Sequence, residues 1–380
     1  MKKASLISTI ILSIALLNGC TTDDEFTIKH WPQDIFTKMP DANFRNFCKR
    51  YDYNKDGKLS RNEALEVSAL NMVDLISFSA CSSIVGIEYF QNLEYISWHA
   101  LEPAEVDLSK NRKLKEVAFW NLTSLTLGKQ PALQQIGCRN CTFDNIDISN
   151  CTALEWLDCK GGKLTNINYS KECKKLIWIN CEQNDLETIC INNLPAFGQL
   201  DCYECKKLKR LDVSNNPSFG VLHCSRCKNL ETINFQNTSL KELVCSDCNL
   251  SEIDVTDMPE LNTLFCAANN LTALNIINCS KLECLYCSEN NISQLDVSNC
   301  PKLVSLYCSE NAISQLDVSM CHELKTLECS GNPLTTLDVS ECLQLERLVC
   351  KNCNISTLYM SSKQKISWLD KDETTRIVYK

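Results

Sequence analysis

The chain has 380 residues, of which 44% are hydrophobic and 22% are charged, and these proportions exclude a wholly disordered protein. Its 10 glycines and 9 prolines are too few for a collagen-like chain, and its formal net charge of −9 argues against a nucleic-acid partner. The unusual feature is the 27 cysteines, which invite a disulfide or metal-site interpretation that the position of each cysteine has to support.

The N-terminus has the pattern of an export signal. Two lysines precede an apolar run over residues 4–17, which is too short to cross a membrane as a helix. The run ends in L-N-G-C, which resembles the lipobox of bacterial lipoproteins. This resemblance implies a signal peptide over residues 1–19, a lipid such as palmitate on Cys20, and an outer-membrane or cell-surface location. A generic signal peptide with an incidental cysteine is the alternative.

A tether and a small helical region are predicted between the signal and the rest of the chain. Residues 20–31 carry an acidic run that resembles the surface-export signal of some Gram-negative lipoproteins, and that equally fits a solvated linker. Residues 32–80 are predicted to form a small α-helical, EF-hand-like cap. Asp41 is placed to cap its first helix, whose apolar residues recur at helical spacing, and a second helix is expected to begin near Glu63.

Residues 52–63, D-Y-N-K-D-G-K-L-S-R-N-E, have the spacing of an EF-hand calcium loop. Alternate positions carry oxygen ligands, a central glycine permits the sharp turn, and the final glutamate supplies two oxygens. We therefore predict one calcium site, in which the lysine contributes only its backbone carbonyl. Its ligands would be Asp52, Asn54, Asp56, Lys58, Ser60 and Glu63. The last four residues of the loop also form a capping box, which would start a helix without any metal.

A repeated unit occupies most of the remaining chain. Residues 303–319 and 324–340 share the frame L-x-x-L-x-C-x-x-N-x-L-x-x-L-D-V-S. The cysteine of this frame recurs every 21 or 22 residues, at Cys138, Cys159, Cys181, Cys202, Cys224, Cys245, Cys266, Cys287, Cys308, Cys329 and Cys350. Phe119 and Trp98 continue the row upstream, so the sequence predicts about thirteen coils of 21–22 residues.

This pattern resembles the leucine-rich repeat family, in a bacterial variety where cysteine replaces the third leucine. The resemblance implies a repeat solenoid over residues 81–360 that is mainly β with short turns. A single unit cannot bury its apolar residues, but stacked coils form a continuous core with leucine and cysteine inside. Residues 361–380 lose the period and are predicted to form a C-terminal cap.

The repeat also assigns most of the cysteines to inward positions of the coils. Eleven lie in the first strand of the coils, and two further sets lie at other inward positions. One set follows the second strand, at Cys151, Cys173, Cys279, Cys300, Cys321 and Cys342. The other replaces the repeat's asparagine, at Cys141, Cys205, Cys227, Cys248 and Cys353. We expect these thiols to be reduced and buried, since zinc needs four converging thiolates; disulfides or metal are the alternative.

Aromatic residues occupy outward positions of the first strand, where a ligand would meet them. Those proposed to form a ligand surface are Phe265, Tyr286, Tyr307, Trp156 and Trp178. Clustered outward aromatics bind proteins or stack on sugar rings, whereas the plainer interpretation is that they only stabilise the sheet. Aspartates of the second strand, such as Asp317 and Asp338, are expected to accept hydrogen bonds from turn amides rather than to hold cations.

No catalytic constellation is visible, and His223 is expected to be an ordinary surface residue. The sequence therefore favours a non-enzymatic, lipid-anchored envelope protein that binds another macromolecule, a protein or a glycan, through its repeats. Its partners would be that ligand and the membrane, with no nucleic acid. A glycan-binding accessory lipoprotein and a purely structural envelope protein are the alternatives.

Overall fold

The computed structural model describes residue 28 and residues 30–72 and 81–380; of residues 100–103 only the backbone is described. The predicted signal peptide, Cys20 and most of the predicted tether lie outside the described residues, as do residues 73–80 of the predicted cap. None of the helices in the described ranges combines the length and the apolar character that crossing a membrane requires.

The N-terminal region contains two short helices around the predicted calcium loop. Helix α1 (Ala42–Cys48) begins at Asp41, whose carboxylate accepts the N–H groups of Asn43 and Phe44. Helix α2 (Arg61–Glu66) begins at the predicted capping box. Among the described residues of this region, three single 3₁₀ turns accompany the helices, at Ile35–Lys38, Lys49–Tyr51 and Ile87–Tyr89.

The strands are short and, within the described residues, number twenty-three. In chain order they are β1 (Ala69–Asn71), β2 (Tyr95–Asp107), β3 (Glu116–Thr126), β4 (Gln135–Arg139), β5 (Asn145–Asp147), β6 (Trp156–Asp158), β7 (Asn166–Asn168), β8 (Trp178–Asn180), β9 (Thr188–Cys190), β10 (Gln199–Asp201), β11 (Arg210–Asp212), β12 (Val221–His223), β13 (Thr232–Asn234), β14 (Glu242–Val244), β15 (Thr263–Phe265), β16 (Cys284–Tyr286), β17 (Ser305–Tyr307), β18 (Thr326–Glu328), β19 (Thr336–Asp338), β20 (Arg347–Cys350), β21 (Thr357–Met360), β22 (Trp368–Lys371) and β23 (Arg376–Tyr379).

One long parallel sheet runs through the described chain. Its order is β1-β2-β3-β4-β6-β8-β10-β12-β14-β15-β16-β17-β18-β20-β22. Equivalent residues of successive coils pair directly, as Leu264 does with Leu285 and Leu285 with Leu306. These leucines are fully buried, while their neighbours in the strand point away from the core because side chains alternate along a strand. The predicted parallel β-solenoid of about thirteen coils is confirmed.

The second strand of the repeat forms shorter sheets on another side of the solenoid. These sheets are β5-β7, β9-β11-β13 and β19-β21-β23, and two isolated bridges mark the same position between them. Each carboxylate of the predicted aspartate row accepts the backbone N–H two residues later, as Asp317 does from Ser319 at 2.9 Å. The interpretation of this row as turn acceptors is therefore confirmed.

The hydrophobic core is continuous from the helical region to the last coils. A single cluster of buried residues runs from Ile35 to Met360, and it includes Trp98 and Phe119, which are fully buried at the cysteine position of their coils. The N-terminal region is joined to the long sheet as well, since β1 pairs with β2. The helices therefore close one end of the solenoid instead of forming a detached domain.

Residues 361–380 continue the solenoid. Strand β22 pairs with β20 through Leu348 and Leu369, and β23 pairs with β21 through Leu358 and Ile377. The sequence predicts a C-terminal cap here because the leucine spacing is lost after residue 360. Parallel pairing uses main-chain groups, so the coil persists after the side-chain pattern has faded.

Candidate functional site

The outward aromatic residues are brought together in two groups on the outer face of the long sheet. Phe265, Tyr286 and Tyr307 lie on adjacent strands, with ring centroids 4.3 Å apart for the first pair and 4.0 Å for the second. Tyr286 and Tyr307 are stacked with an interplanar angle of 18°. The three rings are half-buried, so each keeps part of its surface in water. We call this group the tyrosine stack.

Trp156 and Trp178 form the second group. Their ring centroids lie 5.4 Å apart in an edge-to-face arrangement, and the side chain of Trp156 remains exposed. Strands β10, β12 and β14 separate this pair from the tyrosine stack. The five predicted ligand-surface residues therefore share one face but do not form one site.

A polar network fills the space between the two aromatic groups. Asp201 accepts hydrogen bonds from the Trp178 indole and from Gln199, and its other contact is His223 Nδ1 at 2.8 Å. His223 Nε2 lies 3.1 Å from a carboxylate oxygen of Glu242. The expectation that His223 is an ordinary surface residue was wrong, because the strand pairing places it between two carboxylates.

This network shifts the acidities of its members. The hydrogen bond to Asp201 raises the pKa of His223 to about 9; burial acts in the opposite direction, and Glu242 adds to the increase. Burial raises the pKa of Asp201, but the hydrogen bonds from His223, Trp178 and Gln199 outweigh it and leave the pKa below its usual value. The imidazolium and the carboxylate are therefore both charged at neutral pH.

The predicted calcium loop adopts a tight, internally hydrogen-bonded conformation. The two carboxylate oxygens of Asp52 accept the N–H groups of Asp56 and Gly57, and Asn54 accepts that of Asp56 at 2.8 Å. Gly57 has a φ of +81°, which a glycine adopts without strain. The sharp turn expected at this position is present.

Glu63 is held inside this loop. One of its carboxylate oxygens accepts the N–H groups of Tyr53 and Asn54, and the other accepts the N–H and hydroxyl of Ser60. The capping box is therefore formed. Burial raises the pKa of Glu63, but these hydrogen bonds outweigh it and lower the pKa below its usual value. Among the described residues, no three His, Cys, Asp or Glu side chains are arranged to hold a metal by themselves.

The cysteines pack into the core in the predicted rows. Of the 26 cysteines described, 22 are buried, and the first-strand row is buried along its whole length. At the asparagine position, Cys205 and Cys227 direct their sulfur atoms to main-chain carbonyls 24 or 25 residues earlier, at 3.2 and 3.1 Å. Asn290 and Asn332 make the same contact with their amide groups. Cysteine therefore replaces asparagine as a hydrogen-bond donor between coils.

Comparisons with known proteins agree with this architecture. A family described as "Leucine Rich repeats (2 copies)" matches residues 280–319. The functional domain of InlJ from Listeria monocytogenes, described as including a cysteine ladder, is 23% identical with a TM-score of 0.56, over 91% of this chain and 72% of that one. The fold is that of the leucine-rich repeat proteins.

Two further bacterial structures share the leucine-rich repeat fold. An internalin, InlF, from Listeria monocytogenes is 18% identical with a TM-score of 0.52, and the match covers 93% of this chain and 94% of that one. YopM, a leucine-rich effector protein from Yersinia pestis, is 19% identical with a TM-score of 0.51, over 87% and 92% of the two chains. A comparison with curated proteins found no matching sequence.

Two residues of the leucine-rich repeat surface were not predicted from the sequence. Trp120 and Arg139 lie side by side in β3 and β4, and Arg139 forms an ion pair with Asp158. The sequence places Gly137 in the outward row of the first strand, but the outward positions of Trp120 and Arg139 were not predicted. The sequence does contain one indication of this part of the surface. Ala118 and Gly137 are small residues at outward positions, so they leave space above the sheet between larger side chains.

Proposed function

We propose that this protein is a non-enzymatic, lipid-anchored envelope protein that binds another protein through the tyrosine stack. The observation that carries the proposal is the stacking of Phe265, Tyr286 and Tyr307 on the outer face of the sheet, each ring being half-buried. Repeat solenoids use such extended faces as binding surfaces. Aromatic residues dominate the energetics of protein interfaces.

The surroundings of the tyrosine stack favour a protein ligand. Tyr307 pairs in register with Glu328, whose carboxylate lies 2.7 Å from the guanidinium nitrogen Nε of Arg347. An aromatic centre bordered by a charged pair has the composition of a protein interface, in which aromatic residues and arginine are enriched. The exposed Trp368 lies beyond this pair, under the same guanidinium at 5.3 Å.

Photocrosslinking on intact cells tests the proposed surface. A photoreactive amino acid replaces Ser305, an outward neighbour of the tyrosine stack in β17. The control carries the same group at Met320, an exposed turn residue outside the sheet. We expect position 305 alone to capture a defined partner, and the Tyr286→Ser/Tyr307→Ser variant to lose it. Equal capture at both positions would count against the proposed surface.

We also propose that residues 52–63 bind one calcium ion. The side chains of the loop suit a calcium ion, because they supply the oxygen ligands that calcium prefers. These ligands are Asp52, Asn54, Asp56, Ser60 and Glu63, and the Lys58 carbonyl adds another. To bind it, Glu63 would exchange its hydrogen bonds to the loop for bonds to the metal.

The loop is anchored to the residues that precede α1. Ile35 donates its N–H to the carbonyl oxygen of Leu59 at 2.9 Å, and Leu59 donates its own N–H to the Asp34 carboxylate. Asp34 and Ile35 therefore anchor the loop at Leu59. This support favours a preformed site over one that must be ordered on binding.

A melting experiment tests the calcium site. Calcium should raise the melting temperature of the wild type, because a ligand that binds only the folded state stabilises it. The increase should be lost in Glu63→Gln and kept in the control Glu66→Gln, whose side chain is exposed at the end of α2. Equal increases in the two variants would contradict the assignment.

Membrane attachment is proposed through Cys20. The support is the L-N-G-C tetrapeptide after a short apolar run. Cys20→Ser should move the protein from the membrane fraction to the soluble fraction and change its gel mobility. Cys190→Ser removes an exposed cysteine of the repeats and should change neither. Unchanged fractionation of Cys20→Ser would contradict the lipid anchor.

A further inference from the structure

A hollow lies on the outer face of the long sheet near its N-terminal end. It spans β3, β4, β6 and β8 and has a volume of about 350 Å³, at the lower end of the range for small-ligand sites. Its floor is formed where Ala118 pairs with Gly137, two residues that place almost no side chain above the sheet. We call it the tryptophan hollow.

Three tryptophans surround this floor. Trp120 lies two residues after Ala118 along β3. Trp156 and Trp178 lie on the opposite side of the paired residues Ala118 and Gly137, because Trp156 pairs with Gln135, two residues before Gly137. Trp156 is 46% exposed, although burying so large an apolar ring is normally favourable. The three indoles therefore line a space that the protein does not fill.

Side-chain contacts hold the tryptophan side of the hollow. The indole N–H of Trp178 donates to Asp201, which is held in turn by the charged His223. The edge-to-face contact then fixes Trp156 against Trp178. A site that is ordered before its ligand arrives loses less side-chain entropy on binding.

Polar groups border the hollow without giving it positive charge. Arg139 is neutralised by Asp158, whose Oδ2 lies 2.7 Å from the guanidinium Nε. Glu116 adds a negative charge, and Gln135 offers an uncharged amide. An anionic ligand would therefore meet no free cation in this lining, whereas the hydroxyl groups of a neutral ligand would find donors and acceptors.

The geometry points to a binding site for a neutral pyranose ring of an oligosaccharide in the tryptophan hollow. The apolar face of the sugar ring would lie on the indole surface, and its hydroxyl groups would meet Glu116, Gln135, Arg139 and Asp158. This site is separate from the tyrosine stack, so the inference goes beyond the proposed function and does not depend on it. A peptide ligand in the hollow is the alternative outcome.

Filling the floor tests the inference directly. Gly137 has an ordinary negative-φ backbone, and a β-carbon built there meets its nearest neighbours at 3.8 Å, an ordinary contact. Gly137→Leu should therefore fold and occupy the hollow. The matched control is Val349→Leu, which enlarges an outward residue of the same row in β20. Trp156→Ala removes one wall and keeps the test valid if the leucine variant does not fold.

The full-length protein is screened against immobilised neutral gluco-, manno-, galacto- and N-acetylglucosamine oligosaccharides, uronic-acid oligosaccharides and a peptide library. Neutral ligands that bind are then titrated in solution by calorimetry and tryptophan fluorescence. We expect binding of a neutral oligosaccharide that weakens about tenfold or more in Gly137→Leu and Trp156→Ala, as for the loss of an aromatic contact. Val349→Leu and Tyr286→Ser/Tyr307→Ser should bind like the wild type.

Three results would overturn the inference. The first is that no neutral oligosaccharide binds. The second is that only uronic-acid oligosaccharides or peptides bind. The third is that a neutral oligosaccharide binds Gly137→Leu and Trp156→Ala as tightly as it binds the wild type. Protein capture at position 305 is expected to persist in Gly137→Leu. A failure of the hollow is thereby distinguished from a failure of the tyrosine stack.

Discussion

The side-chain oxygen of Asn290 lies 3.0 Å from the backbone nitrogen of Leu271 in the preceding coil. The amide nitrogen of Asn290 donates to the carbonyls of Cys266 and Cys287, so one buried side chain satisfies main-chain groups of two coils. Equivalent contacts are made by Asn269, Asn311 and Asn332. Hydrogen bonds between buried groups therefore fix the spacing of the coils, in addition to the apolar core.

Asn290→Ala is expected to lower the free energy of unfolding by about 2–3 kcal/mol, because it leaves buried main-chain groups without partners. Asn290→Cys should cost less, since Cys227 makes the equivalent bond to the carbonyl of Cys202. Urea denaturation followed by circular dichroism measures the free energy of unfolding of both variants. The control Asn291→Ala alters an exposed neighbour and should leave the midpoint unchanged. Equal losses for the alanine and cysteine variants would contradict the role given to the thiols.

Ala268→Gly is expected to stabilise the protein by up to about 1 kcal/mol. Ala268 turns the chain with a φ of +52°, a conformation that costs a residue with a β-carbon roughly this amount. Gly331 occupies the corresponding turn of a later coil with a φ of +65°. The matched control is Ala267→Gly, which only adds flexibility and should destabilise. Thermal melting of both variants measures the difference, and a lower melting temperature for Ala268→Gly would show that the turn is not strained.

Stability should depend on the protonation of His223. Its pKa is raised to about 9 by Asp201 above all, so the charged form gains partners on folding. This contribution is full below about pH 6.5, the usual pKa of histidine in an unfolded chain, and is lost as the pH rises to about 9. Wild type should therefore lose stability over this range relative to His223→Gln. Parallel pH profiles for the two proteins would contradict the network.

The cysteine rows should be reduced and inaccessible. Burial raises the pKa of the Cys287 and Cys350 thiols to about 12, which keeps them protonated and unreactive. Thiol titration without reductant should detect most of the 26 described cysteines in denaturant and few in the native protein. Cys308→Ala should destabilise modestly through lost packing. More than a few disulfides, or stoichiometric zinc, would contradict the assignment.

The repeat spacing predicted the fold because each coil buries the same positions. It placed Trp98 and Phe119 in the cysteine row, and both are fully buried there. It also placed Tyr286 beside Tyr307, since parallel pairing keeps equivalent residues adjacent. The network at His223 was not predicted, because it depends on outward side chains of three strands whose polar contacts follow no repeat. The tryptophan hollow depends in the same way on small residues, which a hydrophobic pattern does not register.

The affinity of the partner captured at position 305 decides whether the tyrosine stack is the binding surface. Binding of the purified partner is measured by calorimetry for wild type, Tyr286→Ser/Tyr307→Ser and the control Met320→Ser. The double variant should bind more than about tenfold less tightly, as expected when central aromatic residues of an interface are removed, and the control should bind like wild type. Wild-type affinity in the double variant would show that the partner binds elsewhere on the protein.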